Sequence, residues 1–119
     1  MTQDTLALFD FKACTTLIGS QARAHTLMQT FMDALPEAYG TLETLDGKAA
    51  LSEFCHHWIG AMSYCSMPQL KAKLEHLYHL SHTHPFETLK PYIQDTLNTM
   101  NLMIQSWPNI SFDHEGASH

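Results

Sequence analysis

Positively charged residues are scarce in this sequence. The chain has 119 residues, of which six are lysine or arginine and twelve are aspartate or glutamate, and its formal net charge at pH 7 is -6. Nucleic acid is therefore not expected as a partner, because binding a phosphate backbone needs a basic surface. A helix with a basic polar face for binding a membrane surface is not expected for the same reason.

Long apolar runs and closely spaced cysteine pairs are also missing. No run of about 18 apolar residues occurs, which is the length that spans a bilayer. The N-terminus, Met1–Asp4, has no basic segment followed by an apolar one, so no signal peptide is expected. The three cysteines have no CxxC spacing and indicate buried thiols in a reducing compartment; they are Cys14, Cys55 and Cys65. The sequence thus predicts a cytoplasmic protein without a membrane partner.

The first half of the chain predicts two helices, because apolar residues recur every three or four positions and alternating strand patterns are rare. A short first helix is predicted over about 10–18, ended by Gly19, and Ser20 is the predicted N-cap of the second. Pro36 is expected to bend the second helix. Its apolar stripe consists of Leu27, Met28, Phe31, Met32, Leu35, Tyr39, Leu42 and Leu45.

Three further helices are predicted after a turn at 46–47. The third covers about 48–65, and the fourth begins after a break at 66–68 and ends near 82–85. The fifth, which Pro91 starts or kinks, runs to about Trp107 and is ended by Pro108. The inward residues predicted for the last two helices are Leu70, Leu74, Leu77 and Tyr78, and then Leu89, Ile93, Leu97, Met100, Ile104 and Trp107.

Short connections between long amphipathic helices determine the predicted architecture. The fold class is all-α: an antiparallel four-helix bundle with a short additional N-terminal helix. Residues 1–119 are expected to form a single domain, with its core over about 9–107 and a loose tail over 109–119.

The third predicted helix carries an unusual pair, His56 and Gly60. With Trp58 at the centre of the buried face and 100° per residue, His56 falls at about 160°, almost opposite, as do Gly60 and Ser63. Glycine within a helix costs about 1 kcal/mol relative to alanine. A side chain at position 60 would lean back over His56, so glycine leaves the imidazole accessible.

An exposed imidazole is a suitable phosphoryl acceptor, because its neutral form keeps a nitrogen lone pair at cytosolic pH. Ser52 and Ser63 flank His56 and are candidates for hydrogen bonds to the ring or to phosphoryl oxygens. Glu53 has two opposing effects that the sequence does not resolve, since a carboxylate orients an imidazole but repels a phosphate.

Residues 56–70, His-His-Trp-Ile-Gly-Ala-Met-Ser-Tyr-Cys-Ser-Met-Pro-Gln-Leu, resemble the phosphorylation helix of histidine-containing phosphotransfer (HPt) domains. The closest likeness is to the HPt domains at the C-terminal end of hybrid sensor histidine kinases. The resemblance covers about 9–107, including the second helix with Pro36 and the Phe9-Asp10-Phe11 entry. His56 matches the phospho-acceptor and Gly60 the family's glycine, and the later matches are Tyr64, Pro68 and Leu70.

The resemblance implies a phosphorelay intermediate in two-component signalling. His56 would accept a phosphoryl group from a receiver-domain aspartate and pass it to another receiver, either of a response regulator or of a hybrid kinase. The chain would be a carrier without ATP-binding or autokinase activity and without a cofactor, since Mg²⁺ is expected on the partner receiver. The docking surface would be the outer face of the third helix with nearby parts of the second, including an exposed patch at Ile59 and Gly60.

This chain departs from the family pattern at two positions. Ile59 stands where the family often has a lysine that steadies phosphate charge, and Ser66 replaces a second glycine. Ile59 puts the rate and stability of phosphorylation in question. His57, which follows the acceptor directly, is predicted to flank it as a structural or interface residue.

Two alternatives remain open. One is an HPt-like module that docks a receiver without carrying phosphate, which the isoleucine at position 59 favours. The other is a helical metal-binding protein, because His76, His79 and His82 recur every three residues with His84 close by. Three-residue spacing spreads these imidazoles over more than one helix face, so no metal ligand is predicted among them.

Overall fold

The computed structural model of the protein describes residues 7–110. Within that range the chain is helical and contains no β-strand. The five α-helices are α1 (Phe11–Ile18), α2 (Gln21–Glu43), α3 (Lys48–Ala61), α4 (Pro68–Thr83) and α5 (Lys90–Ser106). Two short 3₁₀ turns, Phe86–Leu89 and Trp107–Asn109, flank α5. The predicted all-α class is confirmed. The predictions for Met1–Asp4 and for most of the tail, 111–119, lie outside the described residues.

Local capping explains where α1 ends and α2 begins. The Asp10 carboxylate accepts a hydrogen bond from the Ala13 amide at 3.0 Å, which satisfies an orphan donor at the start of α1. Gly19 then adopts φ +84°, a left-handed conformation that glycine takes without a Cβ penalty, and ends the helix. The Ser20 hydroxyl caps α2 by accepting from the Arg23 amide at 3.2 Å. These boundaries confirm the sequence prediction.

Helix α2 is continuous through Pro36, which is exposed. It ends at Glu43, so Leu45 lies just beyond the helix although it still packs against the core. Gly47, at φ +133°, precedes α3 as expected for the turn. Pro91 lies in the first turn of α5 and therefore starts that helix rather than kinking its interior.

Helix α3 is shorter than predicted. It ends at Ala61, four positions before the predicted boundary at Cys65. The Met62 amide donates to the carbonyls of both Trp58 and Ile59 at 3.2 Å, so the last turn tightens and the helix stops. The chain folds back toward α1, where the Cys14 thiol donates to the Tyr64 carbonyl at 3.0 Å. The prediction overlooked this reversal because the apolar spacing continues through the turn to Cys65, which is itself buried.

One cluster of buried side chains connects all five helices. Helix α3 packs along α4, α4 along α5 and α5 along α2, while α1 and α3 also contact α2. The largest fully buried members come from every α-helix after α1, from the α3–α4 turn and from the 3₁₀ turn before α5: Met28, Leu35, Leu42, Leu51, Met62, Met67, Leu70, Leu74, Leu77, Leu89, Met100 and Met103. The Met-rich stripes are therefore core, as predicted.

No helix within residues 7–110 is both long enough and apolar enough to cross a bilayer.

Candidate functional site

His56 lies on the exposed side of α3, which confirms its predicted orientation. The opposite side of the helix is held in the core by Leu51 and Cys55, both of which are fully buried. Trp58 is half-buried and packs edge-to-face on Phe31, with ring centroids 5.3 Å apart. The apolar contacts of the helix thus fix the direction in which His56 projects.

Gly60 leaves open space one turn after His56. Apart from its own neighbouring backbone, a Cβ added at Gly60 would meet no heavy atom within 4 Å. Close packing therefore does not explain this glycine, and the interpretation that it keeps the imidazole accessible agrees with the geometry. Ala61 is also exposed, so the last two residues of α3, both on its surface, have little or no side chain.

A shallow, open depression surrounds His56 on the side that faces α4. Its volume is about 480 Å³, and it is lined by Ser52, Glu53, His56, His57 and Tyr78. Ser52 is half-buried one turn before His56, and Glu53 is exposed. The depression therefore contains one carboxylate but no lysine or arginine, and a phosphoryl group here would meet a like charge.

Tyr78 brings a second aromatic ring to His56 from α4. The centroids of the two rings are 6.1 Å apart and their planes are inclined at 34°. The sequence predicted Tyr78 as an inward residue, but it is half-buried and also lines the site. Its position one residue beyond the buried Leu77 indicates the edge of the apolar stripe; only the packing of α3 on α4 places it beside His56.

His57 and Ile59 flank the acceptor in different ways. His57 is exposed and contacts the ring of Trp58 edge-on at 5.4 Å, in agreement with a flanking position. Ile59 is half-buried and packs against the core. The expected exposed apolar patch at Ile59 and Gly60 is therefore wrong for Ile59, because the side of α3 that carries it turns toward the bundle interior.

Ser63 does not continue the helical face of His56, because α3 has already ended. Its hydroxyl donates to the Gly60 carbonyl at 2.7 Å, and its amide donates to the same oxygen at 3.1 Å. Ser63 thus satisfies a carbonyl at the C-terminus of α3. Ser52, by contrast, lines the depression with His56 as predicted.

The histidines of α4 are exposed, as expected for its polar face. His76 packs edge-on against Tyr92, and the Nδ1 atom of His82 lies 2.7 Å from the Tyr78 carbonyl oxygen. Among residues 7–110, no three His, Cys, Asp or Glu side chains form a group that could hold a metal ion. The structure therefore offers no particular support for the metal-binding alternative.

The thiols are buried, in agreement with the sequence prediction. Burial raises the pKa of Cys55, which precedes His56 in α3, to about 12. Burial, together with the nearby Cys14, raises the pKa of Cys65 to about 11. A thiol that stays protonated is a poor nucleophile, so these side chains belong to the core rather than to a site.

Comparisons with protein-family models, with curated proteins and with solved structures found no match to this chain.

Proposed function

We propose that this chain is a histidine-containing phosphotransfer protein whose phospho-acceptor is His56. Helices α2 to α5 would form the antiparallel four-helix bundle of that class, with α1 as the short additional helix. The contacts of α3 with α4, of α4 with α5 and of α5 with α2 support this arrangement, and the connections between successive helices are short. The observation that carries the functional proposal is an exposed imidazole in α3 with open space at Gly60.

The proposed reaction needs little from this chain beyond an accessible nucleophile. A neutral ring nitrogen of His56 attacks the phosphorus of a receiver's aspartyl phosphate, forming the N–P bond with its lone pair. The P–O bond breaks, the aspartate leaves as a carboxylate with that electron pair, and the proton on the other ring nitrogen stays in place. Charge stabilisation during transfer would come from the receiver and its Mg²⁺.

The direct test mixes the protein with a receiver domain that carries labelled aspartyl phosphate. We expect acid-labile, base-stable label on the wild-type chain and on His57→Gln, and none on His56→Gln. His57 is a matched control because it is also an exposed imidazole, on the next residue. Label that survives in His56→Gln and disappears in His57→Gln would show that His57, rather than His56, is the acceptor.

A docking module without phosphotransfer is the second candidate. The carboxylate of Glu53 lines the same depression as His56, and Ile59 supplies no positive charge. Both features disfavour a bound phosphoryl group. Absence of label from every variant, together with measurable binding to the receiver, would support this candidate over the carrier.

A further inference from the structure

We infer that Tyr78 is a positioning residue, whose ring limits the orientations of the His56 imidazole. This inference rests on the proposed function, because it concerns the histidine that is assigned as the acceptor. It starts from the contact between the two rings, whose centroids lie 6.1 Å apart across the α3–α4 interface.

The helix that carries His56 restrains its ring only from one side. Ser52, four residues earlier, lines the depression, but Gly60, four residues later, contributes no side chain. Side chains at i+4 normally lie over the turn that holds residue i, so the glycine removes the usual support. Within residues 7–110 the His56 imidazole also has no hydrogen-bond partner. Its remaining large aromatic neighbour is Tyr78, on the other helix.

Tyr78 is itself held in place. It is half-buried and packs against the core, and its ring meets His82 edge-on with centroids 4.7 Å apart. His82 is fixed one turn later in α4, where its Nδ1 atom lies 2.7 Å from the Tyr78 carbonyl oxygen and 3.3 Å from the Ser81 hydroxyl. These contacts restrict the orientations that the tyrosine ring can adopt.

The orientation of the His56 ring matters for in-line attack, because the lone pair of the attacking nitrogen must point at phosphorus. An acceptor ring that rotates freely spends little time in the reactive orientation, and small misplacements of reacting groups slow reactions strongly. The tilted ring of Tyr78 restricts rotation of the imidazole while Gly60 leaves the approach open. Tyr78 therefore limits the orientation of the imidazole, and Gly60 permits access to it.

The test compares Tyr78→Leu, Tyr78→Phe and Tyr92→Leu in transfer from a phosphorylated receiver. Tyr92 is a matched control because it packs edge-on against another exposed histidine, His76, with centroids 5.5 Å apart. We expect Tyr78→Leu to lower the transfer rate constant at saturating receiver about 10-fold, with an unchanged half-saturating concentration. Tyr78→Phe and Tyr92→Leu should match the wild type.

Several outcomes would overturn the inference. A slow Tyr78→Phe would assign the effect to the hydroxyl rather than to the ring, and a slow Tyr92→Leu would show that the loss is not specific. A raised half-saturating concentration with a normal rate constant would make Tyr78 a docking residue.

A second measurement keeps the inference separate from the proposed function. In NMR spectra, the carbon-bound ring protons of His56 should shift in Tyr78→Leu, because the ring current of the tyrosine is lost, and should stay in place in Tyr92→Leu. Unchanged His56 signals in Tyr78→Leu would refute the positioning role. If the wild-type chain accepts no phosphoryl group, the proposed function fails, whereas the NMR result still decides whether the Tyr78 ring lies against the His56 imidazole, which the positioning role requires.

Discussion

At Gly60 the stability of a helix and access to a side chain have opposite requirements. Gly60 lies within α3 and a Cβ there meets no heavy atom within 4 Å beyond the adjacent backbone. We expect Gly60→Ala and Gly60→Leu each to raise the free energy of unfolding by about 0.5–1 kcal/mol, because glycine has the larger conformational entropy in the unfolded chain. Only leucine should lean over His56, and we expect it to slow phosphotransfer about 10-fold. Urea unfolding and the transfer assay measure the two effects.

Gly40 provides the matched control for this substitution. It lies within α2, is exposed, and also has open space where a Cβ would project. Gly40→Leu should therefore give a similar gain in stability and leave phosphotransfer unchanged. An equal loss of transfer in the Gly40 and Gly60 variants would contradict the role assigned to Gly60.

The buried thiols predict a pH dependence of stability with a definite sign. Burial raises the pKa of Cys55 from 9.0 to about 12, whereas the unfolded chain releases this proton near the ordinary value. Below about pH 9 both states keep the proton, and the contribution of the thiol is constant. As pH rises from about 9 toward 12, the unfolded state loses the proton first and the free energy of unfolding falls. At pH 10.5 the fall from this thiol should be about 1–2 kcal/mol relative to pH 8.

Cys55→Ala isolates this contribution from other groups that titrate in alkali. The variant should be less stable at pH 8, because a buried side chain is truncated, but should lose less stability between pH 8 and pH 10.5 than the wild type. Urea unfolding at the two pH values supplies the comparison. Parallel losses in the two proteins would show that Cys55 does not contribute.

At the scale of helices, the sequence predicted those boundaries that local chemistry determines. Asp10, Gly19 and Ser20 mark ends that a single side chain or a left-handed glycine produces. The end of α3 was placed too late because Met62 and Cys65 keep the helical apolar spacing while lying in a turn. Their burial comes from packing against other helices, which spacing along one helix does not reveal.

In the candidate site, too, the sequence predicted the features that depend on a single helix and not those that depend on packing between helices. One helix face is enough to identify His56 and Gly60, since both positions follow from rotation about the axis of α3. Tyr78 was assigned to the core, because its place beside His56 depends on how α3 packs against α4. Ile59 was placed on the outside for the converse reason, since its half-burial depends on its neighbours.

Lys73 forms a further contact between helices, which the sequence did not predict. Its side chain is 4% exposed, and its ammonium lies 3.1 Å from an Asp95 carboxylate oxygen and donates to the Thr99 hydroxyl at 2.8 Å. The pair connects α4 to α5. Asp95→Asn should lower the free energy of unfolding by about 1–2 kcal/mol, because the buried ammonium loses its charged partner.

Lys73→Met should cost less than Asp95→Asn, since methionine fills the buried space and the 55% exposed Asp95 side chain remains hydrated. Urea unfolding of the two single variants and the double variant measures the coupling between them. In the Lys73→Met background, Asp95→Asn should have little effect. If Asp95→Asn lowered the free energy of unfolding by the same amount in that background, its effect would not come from the pair with Lys73.

At the scale of the whole molecule, the two tryptophans report on separate parts of one core. Trp58 in α3 contacts Phe31 and Phe54, while Trp107 follows α5, contacts Phe9 at 5.2 Å and donates to the Gln29 side-chain oxygen at 3.1 Å. Both rings pack against the same cluster of buried residues. A shared core makes unfolding cooperative, so the two regions should lose their structure together.

Trp58→Phe and Trp107→Phe each leave one tryptophan, because the sequence contains two. Within each variant, urea unfolding followed by fluorescence and by far-ultraviolet circular dichroism should give the same midpoint, since the remaining ring and the helices belong to one cooperative unit. Comparing the two probes in the same variant removes the destabilising effect of the substitution itself. If the fluorescence of Trp107 changed at lower urea than the helical signal, the contacts with Phe9 and Gln29 would form a unit that opens by itself. Helix α3, with His56, would then keep its packing on α4 after that end of the molecule had opened.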